Sequence, residues 1–318
     1  MNQSNINKYT QTYGTRFTRA QKKKSIEALS EDFKALGYES TLIRGKKFIS
    51  RADNYLYGNL KQMKTVIVVP YDTPERKVWH KVLYFPFDGT RTANKTMVAT
   101  YVPVLILFAI IFGSLYGLQP MITSLEITTI MSLVLFALTL GLMYWMLHGI
   151  HNAHNYNRNS ASILAALEIA GKLDKDERKK VGFLFTDKNK MRFLGAESSV
   201  NDFVNNGKNP NFIALDCIGL GSNVKIAYNP QNRKLANEVA KNYPDKKITI
   251  ECIKLSEEMR LQTAMTHFKK AIIISSGECD EDGNLFVLGS GTSKDTKIDE
   301  TLIDNISTMV YKYLHIQK

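Results

Sequence analysis

The stretch that decides the fold is SASILAALEIAGK, residues 160–172, followed by VGFLF, residues 181–185. Apolar residues recur every three or four positions in the first segment, which is typical of a helix with one buried face. The second segment is a short, uninterrupted apolar run, which is typical of a buried parallel strand. A β-branched run of the same kind, TVIVV, occupies residues 65–69. These three segments predict an α/β protein.

Helix and strand patterns alternate along the rest of the polar sequence. A helical pattern covers residues 17–38 and meets a stop signal at Gly37. Further strands are predicted at residues 212–216, 248–253 and 271–275, and further helices near residues 194–206, 232–243, 256–268 and 299–315. Because alternating strands and helices favour crossover connections, this order predicts a three-layer α/β sandwich with a mostly parallel central sheet.

Two long apolar segments interrupt the pattern. Residues 97–118 read MVATYVPVLILFAIIFGSLYGL, and residues 127–150 read ITTIMSLVLFALTLGLMYWMLHGI. At 1.5 Å per residue, a helix of this length covers roughly 33 Å, which is enough to cross the apolar core of a bilayer. We therefore expect a transmembrane hairpin at residues 96–150, with the lipid bilayer as a partner.

The polar sequence on either side of the hairpin is expected to form one domain. The piece before the hairpin, residues 1–95, is too short to build the sheet by itself, so residues 151–318 must complete it. The connection between the apolar segments, QPMITSLE at residues 119–126, contains no Lys or Arg. The other ends are flanked by Arg76, Lys77, Lys81, Arg91, Lys95 and Arg158. Since cytoplasmic flanks carry the excess of Lys and Arg, both termini are expected in the cytoplasm, beneath the inner membrane.

Small residues recur four positions apart within the hairpin. Gly113 and Gly117 lie in the first apolar segment, and Ala137 and Gly141 lie in the second. Such spacing permits close contact between helices. Two interpretations stay open: the two helices pack on each other, or this face binds a separate membrane protein.

The formal net charge is +12, with a pI near 9.4. No nucleic-acid-binding signature accompanies this charge, so attraction to an anionic membrane surface explains it better, and no nucleic-acid partner is expected. Cys217, Cys252 and Cys279 show no metal-ligand spacing and are odd in number. They fit a reducing cytosol better than a disulfide framework.

Six strings in the polar sequence resemble, in order, those of the co-catalytic zinc aminopeptidases, a superfamily that includes leucyl aminopeptidases and glutaminyl cyclases. They are TRFTRAQKKKSIEALSEDFKALGYES at residues 15–40, VIVVPYDTP at 66–74, NYNRNSASILAALEIAGKL at 155–173, VGFLFTDKNKMRFLGAESS at 181–199, NFIALDCIGLG at 211–221 and GTSKDTKID at 291–299. The resemblance implies a zinc-exopeptidase-like fold. It also implies two zinc ions held by histidines and carboxylates, with a glutamate as general base.

This chain departs from that implied site at most positions. Asp216 is the one expected ligand that is retained, and Asp72 of the His-x-Asp motif also remains. The replaced positions are Pro70 and Gly291 for the histidines, Arg158 for the bridging aspartate, and Asn189 and Lys190 for the paired glutamates. We therefore expect no catalytic residues and no metal cofactor. Asp187 and Asp295 also match family positions, although capping of loops explains them equally.

One other arrangement of ligands is possible. His148, His151 and His154 recur every three residues, and on a continuing helix they would share one face. With Asp72 or Asp216 they would form a non-standard zinc site. The alternative is that they are histidines of the membrane interface.

These residues predict a membrane-anchored, catalytically degenerate aminopeptidase-like protein that binds a peptide or a protein partner at the inner membrane face. Arg158 and Lys190 would give the remnant pocket a positive floor for a carboxylate or phosphate group. The alternative is an active metallo-aminopeptidase or hydrolase that uses the histidine series. A third hypothesis is a subunit of a membrane complex in which the hairpin recognises the partner. The sequence leaves open the ligand, the partner, the pathway and the oligomeric state.

Overall fold

The computed structural model describes residues 2–48, 50–77, 82–118, 125–189, 193–245, 248 and 250–316. The strands in this part of the chain are β1 (Ser40–Lys47), β2 (Ser50–Tyr57), β3 (Thr65–Pro70), β4 (Leu83–Tyr84), β5 (Val181–Thr186), β6 (Asn211–Leu215), β7 (Asn223–Tyr228), β8 (Ile250–Lys254), β9 (Ala271–Cys279) and β10 (Leu285–Leu288). The α-helices are α1 (Gln3–Asn7), α2 (Arg19–Ala35), α3 (Gly89–Leu118), α4 (Leu125–His148), α5 (Ala161–Lys172), α6 (Lys175–Lys180), α7 (Leu194–Asn205), α8 (Arg233–Ala240), α9 (Glu257–Leu261) and α10 (Glu300–Ile316).

The strands form one mixed sheet whose centre is parallel. The order β5-β3-β6-β9 is parallel throughout, and Val66 of β3 lies opposite both Gly182 of β5 and Phe212 of β6. The sheet therefore includes a strand that precedes the apolar hairpin between strands that follow it. Antiparallel pairs surround this centre: β1 with β2, β2 with β5, β7 with β9, and β10 with β9 and β4.

Helices cover both faces of the sheet, and an apolar core lies between the helices and the sheet on each face. On one face α2, α5, α8 and α10 bury side chains against the strands, with Phe33 of α2 stacked on Tyr57 of β2 at 4.4 Å between ring centroids. On the other face Phe203 of α7 and the loop residue Phe268 pack against Phe212 of β6. The predicted α/β sandwich with a central sheet flanked by helices is confirmed.

Some local predictions need correction. The β1–β2 hairpin was not predicted, because most side chains of β1 are exposed and no apolar alternation marks the strand. β7 was also missed; its buried Lys225 forms an ion pair with Glu251 at 2.6 Å. The helix expected near residues 256–268 is wrong in length, since α9 ends at Leu261 and a separate short turn capped by Thr263 follows it.

α3 and α4 contain the two apolar segments, and both are long and apolar enough to cross a membrane. α3 begins at Gly89, well before the predicted apolar stretch, and α4 ends at His148. Along both helices, large apolar side chains face outward rather than into the domain, among them Leu105, Ile106, Ile110, Ile130, Leu133, Val134, Phe136 and Leu138. Passage through a bilayer remains a prediction.

The glycines of the hairpin do not form its internal contact. Among the described residues, no heavy atom lies within 4 Å of where a Cβ would stand on Gly113, Gly117 or Gly141. Ala137 is likewise exposed. The close approach between α3 and α4 that these small residues would permit is absent here, and their contact with another chain stays a prediction.

Candidate functional site

The residues singled out by the sequence meet at the carboxyl ends of the central parallel strands. Pro70 is the last residue of β3 and Asp72 follows it, Asn189 comes shortly after β5, and Asp216 directly follows β6. Ligand sites of open α/β sheets occupy this edge. We term this region the remnant pocket.

A cation lies at the centre of the remnant pocket. The Arg158 guanidinium donates from Nη1 to Oδ1 of Asp216 at 3.2 Å, and the Tyr84 hydroxyl donates to Oδ2 of the same carboxylate at 2.5 Å. The guanidinium carbon also stands 3.7 Å from the centroid of the Tyr84 ring, within the range of a cation–π contact. We term these three residues the Arg158 cluster. Both oxygens of Asp216 are occupied within it.

Tyr84 and Arg158 each keep a defined protonation state. Burial raises the pKa of the Tyr84 hydroxyl well above its usual range, so this group remains a donor. Burial alone would lower the pKa of Arg158, but the oxygens of Tyr84 and Asp216 outweigh it and raise that pKa well above its usual range. Arg158 is therefore a permanent cation. Burial also raises the pKa of Cys217, whose sulfur lies 3.4 Å from Arg158 Nη1, so this thiol is not an activated nucleophile.

A buried carboxylate positions Arg158. Asp295 accepts the backbone N–H groups of Asn157 at 2.8 Å and Arg158 at 3.1 Å, in the π-helical turn Tyr156–Ser160 that precedes α5. Burial raises the pKa of Asp295 to about 6, although these hydrogen bonds act in the opposite direction. Asp295 is thus a loop-capping residue.

Amide side chains occupy the rest of the remnant pocket. Asn189 donates to Oδ1 of Asp72 at 2.6 Å. Asn159 donates to the carbonyl of Pro70 at 2.9 Å and also to the carbonyl of Asp72. The second carboxylate oxygen of Asp72 accepts no hydrogen bond from a described residue. Lys190 lies outside the described residues.

Two further cations are held close to the pocket. Arg16 is fully buried and donates from Nε to the carbonyl of Tyr71 at 2.7 Å. Lys22 forms an ion pair with Asp187. Burial raises the pKa of Asp187, and Lys22 opposes that effect. Aspartates of the predicted site are therefore compensated by cations of the protein itself.

The comparisons with solved structures agree with this architecture. A glutaminyl cyclase from Porphyromonas gingivalis matches with a TM-score of 0.60 at 13% sequence identity, covering 99% of this chain and 96% of that one. A Zn-dependent exopeptidase from Parabacteroides distasonis matches at 0.58 and 13%, covering 98% and 94%. The chain has a zinc-exopeptidase-like fold. The LapA aminopeptidase of Legionella pneumophila matches at 0.57 and 9%, covering 98% of this chain and 69% of that one.

Identities this low establish the fold alone. No protein-family model matches the chain, and no curated protein matches its sequence. Whether this chain can bind the zinc ions expected with the fold therefore depends on the residues present at the site.

The described residues do not fit a zinc pair. Asp216 has both oxygens occupied by Arg158 and Tyr84, and a guanidinium stands where the resemblance puts the bridging ligand. Within the described ranges, no three His, Cys, Asp or Glu side chains group closely enough to hold a metal ion. Gly291 adopts φ +75°, and a Cβ there would lie 3.4 Å from Pro74, so a histidine at this position would be strained.

The proposed histidine series does not share one helical face. α4 ends at His148, and Gly149 turns the chain with φ +68°. His151 is exposed in an isolated bridge to Glu75, and His154 accepts a hydrogen bond from Asn152 through its backbone carbonyl. The expectation of a continuing helix is wrong, because this glycine adopts the left-handed conformation that ends helices.

The hypothesis of a free positive floor is also corrected. Arg158 already has a carboxylate partner inside the protein, so its charge is not available to a carboxylate or phosphate ligand. Tyr84 was not anticipated at all. Its sequence signal is the apolar run VLYFPF at residues 82–87, whose Val82, Phe85 and Phe87 are buried in the domain and not in the hairpin.

Replacing Arg158 with Met is expected to reduce the free energy of unfolding by about 2–3 kcal/mol, because it strands the partly buried Asp216. The double variant Arg158→Met/Asp216→Asn is expected to lose less than the sum of the single variants. Chemical unfolding of the purified variants measures both. Lys47→Met, which breaks an exposed pair with Glu197, is the control and should change stability by less than about 1 kcal/mol. Additive losses at Arg158 and Asp216 would contradict the pairing.

Asp295 is expected to make stability depend on pH. Its folded pKa of about 6 exceeds the usual 3.8, so the stability it confers is fully present below pH 3.8 and is lost as the pH rises through about 6. The loss amounts to about 3 kcal/mol at most. Relative to Asp295→Asn, the unmodified chain should therefore lose stability between pH 4 and 7 in unfolding titrations. Asp282→Asn, at an exposed carboxylate, should track the unmodified chain. Parallel curves for Asp295→Asn would refute this assignment.

Proposed function

We propose that this chain is a membrane-anchored, non-enzymatic protein with a peptidase fold, which uses the remnant pocket to bind a peptide or a partner protein at the inner membrane face. The observation that carries the proposal is the Arg158 cluster. A protein can keep its fold and lose its catalytic activity when the residues of the active site are replaced, because the fold does not determine the function.

Electrostatics argue against the family's reaction at this site. Two like unit charges about 4 Å apart repel by roughly 4 kcal/mol at an effective dielectric of 20, and a divalent ion doubles that repulsion. Arg158 cannot lose its proton to escape the penalty. The positions that the resemblance gives to the paired glutamates are Asn189 and Lys190, neither of which supplies the carboxylate that the family's reaction uses as its general base.

Several features support a binding role. Asn189 and Asp72 are partly exposed. The carboxylate oxygen of Asp72 that accepts no hydrogen bond from a described residue can accept a backbone or side-chain N–H from a peptide. The neighbouring Pro70 carbonyl is held in place by Asn159, so this edge of the pocket is pre-organised. Membrane anchoring is supported by the outward-facing apolar side chains of α3 and α4, whose exposure to water would be costly.

The purified chain should not release amino acids from aminoacyl chromogenic substrates, even with zinc added. Pro70→His and Asn189→Glu alone should not restore turnover, because Arg158 remains. The smallest set that could rebuild the family site is Arg158→Asp, Asn189→Glu, Lys190→Glu, Pro70→His and Gly291→His. Zinc-dependent turnover by the unmodified chain would overturn the proposal in favour of the hydrolase alternative.

Binding at the pocket can be tested in native membranes with a photo-crosslinking residue at position Asn189. Adducts with a peptide or protein are expected there. The same residue at Lys234, an exposed position of α8 away from the pocket, should give none. Adducts of equal yield at both positions, or none at Asn189, would count against the remnant pocket as the binding site.

Membrane orientation has its own test. In a background without the three native cysteines, a cysteine replacing Ser124, between α3 and α4 in the sequence, should react with an impermeant thiol reagent on intact cells. Cysteines replacing the exposed Lys23 and Lys312 should react only after the cells are permeabilised. The reverse pattern would overturn the proposed orientation, and labelling of all three positions on intact cells would overturn the anchoring in the inner membrane.

A further inference from the structure

A groove of about 430 Å³ runs along one edge of the sheet, between β1 and α7. One wall is formed by residues 42–47 of β1, and the other by one face of α7 along its whole length, Leu194–Asn205. The two walls meet at Gly45, where a Cβ would lie 2.5 Å from the Cβ of Ser198. We term this cavity the β1–α7 groove. None of the residues that line it belongs to the remnant pocket.

The groove exposes the backbone of an edge strand. Among the described strands, β1 lies at one end of the sheet and pairs with β2 alone. The carbonyl of Glu39 accepts from the N–H of Gly58 at 3.0 Å, so residue 39 directs its hydrogen-bonding groups toward the β2 side. Because this direction alternates along an antiparallel ladder, Leu42, Arg44 and Lys46 direct their N–H and C=O groups to the open edge. An edge of this kind is a template for a further strand.

The side chains along this edge carry an excess of positive charge. Leu42, Arg44 and Lys46 share one face of β1 because successive side chains alternate, and all three are exposed. Lys46 lies directly opposite Arg51 of β2, and like charges in such a pair are destabilising. Asp53 is shared between Arg44 at 3.7 Å and Arg51 at 2.8 Å. Lys46 forms no ion pair with a described residue.

These charges select the occupant of the groove. An acidic side chain on an added strand would lie beside Arg44 or Lys46 and offset the like-charge pair. A second copy of the chain, paired antiparallel about the middle of this stretch, would instead place Arg44 opposite Arg44. The cations therefore oppose self-pairing and favour an acidic segment.

We propose that the β1–α7 groove binds an extended acidic segment of a partner protein, which adds to β1 as an antiparallel strand. Its side chains beside Lys46 and Arg44 are acidic and the one beside Leu42 is apolar, so from its N-terminus the segment reads acidic-x-acidic-x-apolar. The intervening side chains face α7, where the exposed amides of Asn201 and Asn205 donate and accept hydrogen bonds. Backbone pairing supplies affinity in this mode of recognition, and alternate side chains supply specificity.

This site goes beyond the proposed function. It is separate from the remnant pocket, and it does not require α3 or α4 to span a membrane. Its test is therefore independent of the crosslinking at Asn189 and of the orientation of the hairpin.

The probe is a heptapeptide with Glu at its second and fourth positions, Val at its sixth and Thr elsewhere, labelled with fluorescein at its N-terminus and amidated at its C-terminus. Fluorescence polarisation measures its binding to the full chain in a non-ionic detergent. We expect saturable binding, and at least about 10-fold weaker binding of the same peptide with Lys in place of both Glu residues. No saturable binding of the acidic peptide would overturn the proposal.

Two N-methylated peptides separate strand addition from simple charge attraction. Methylation of the Glu and Val N–H groups, which face β1 in the antiparallel arrangement, should abolish binding. Methylation of the internal Thr N–H groups, which face away from β1, should leave binding unchanged. Equal effects of the two sets would overturn strand addition, and a loss from the Thr set alone would overturn the antiparallel direction. Because the protein is unchanged in this comparison, the test holds even if a protein variant fails to fold.

Protein variants locate the peptide in the groove. Lys46→Glu should weaken binding of the acidic peptide at least about 10-fold and favour the Lys peptide. Asn201→Trp should also weaken binding, because the larger side chain fills the groove. Lys234→Glu and Asn237→Trp, at exposed positions of α8, are the matched controls and should bind like the parent. Parent-like binding by both groove variants would overturn the placement at β1.

A second copy of the chain is the competing occupant. Leu42→Pro removes an N–H group that faces the open edge and leaves the pairing with β2 intact. This variant should abolish peptide binding without changing the mass of the chain in light scattering. Conversion of a dimer to a monomer by Leu42→Pro would identify β1 as a homodimer interface and overturn the acidic partner.

Discussion

The ion pair between Arg158 and Asp216, covered by the ring of Tyr84, is the interaction on which the rest of the site depends. It puts a permanent cation at the carboxyl ends of the parallel strands, where folds of this kind gather their ligands. The charge of that cation is balanced inside the protein, by a carboxylate whose other oxygen accepts from Tyr84. The Arg158 side chain thereby joins the turn before α5 to the segment after β6 and to Tyr84, without the Lewis acidity that a metal ion would supply.

The surrounding residues follow the same principle. Lys22 compensates Asp187, Asn189 donates to Asp72, and Asp295 holds the turn that delivers Arg158. The segments that flank the apolar helices also end at this cluster: Tyr84 precedes α3, and Arg158 follows α4. The pocket and the proposed membrane hairpin are for this reason adjacent, although the pocket is polar and the hairpin is apolar.

The sequence predicted the fold well because buried parallel strands and amphipathic helices have strong periodic signals, as in residues 160–172 and 181–185. It failed for β1, whose solvent-exposed side chains carry no such signal. The departures from the family pattern at Pro70 and Arg158 could be identified from the sequence, because each concerns a single position. Tyr84 was not, because its partner Asp216 is 132 residues away and only the folded sheet brings the two together. The helical series His148, His151 and His154 failed for a local reason, since the left-handed Gly149 ends α4 first.

The account is tested most directly by diffraction data from crystals grown with zinc, collected above and below the zinc absorption edge. We expect planar density for the Arg158 guanidinium against both Asp216 and the Tyr84 ring, with no anomalous peak in the remnant pocket. Two anomalous peaks there, with Asp216 turned away from Arg158 and His151 or His154 among the ligands, would contradict it.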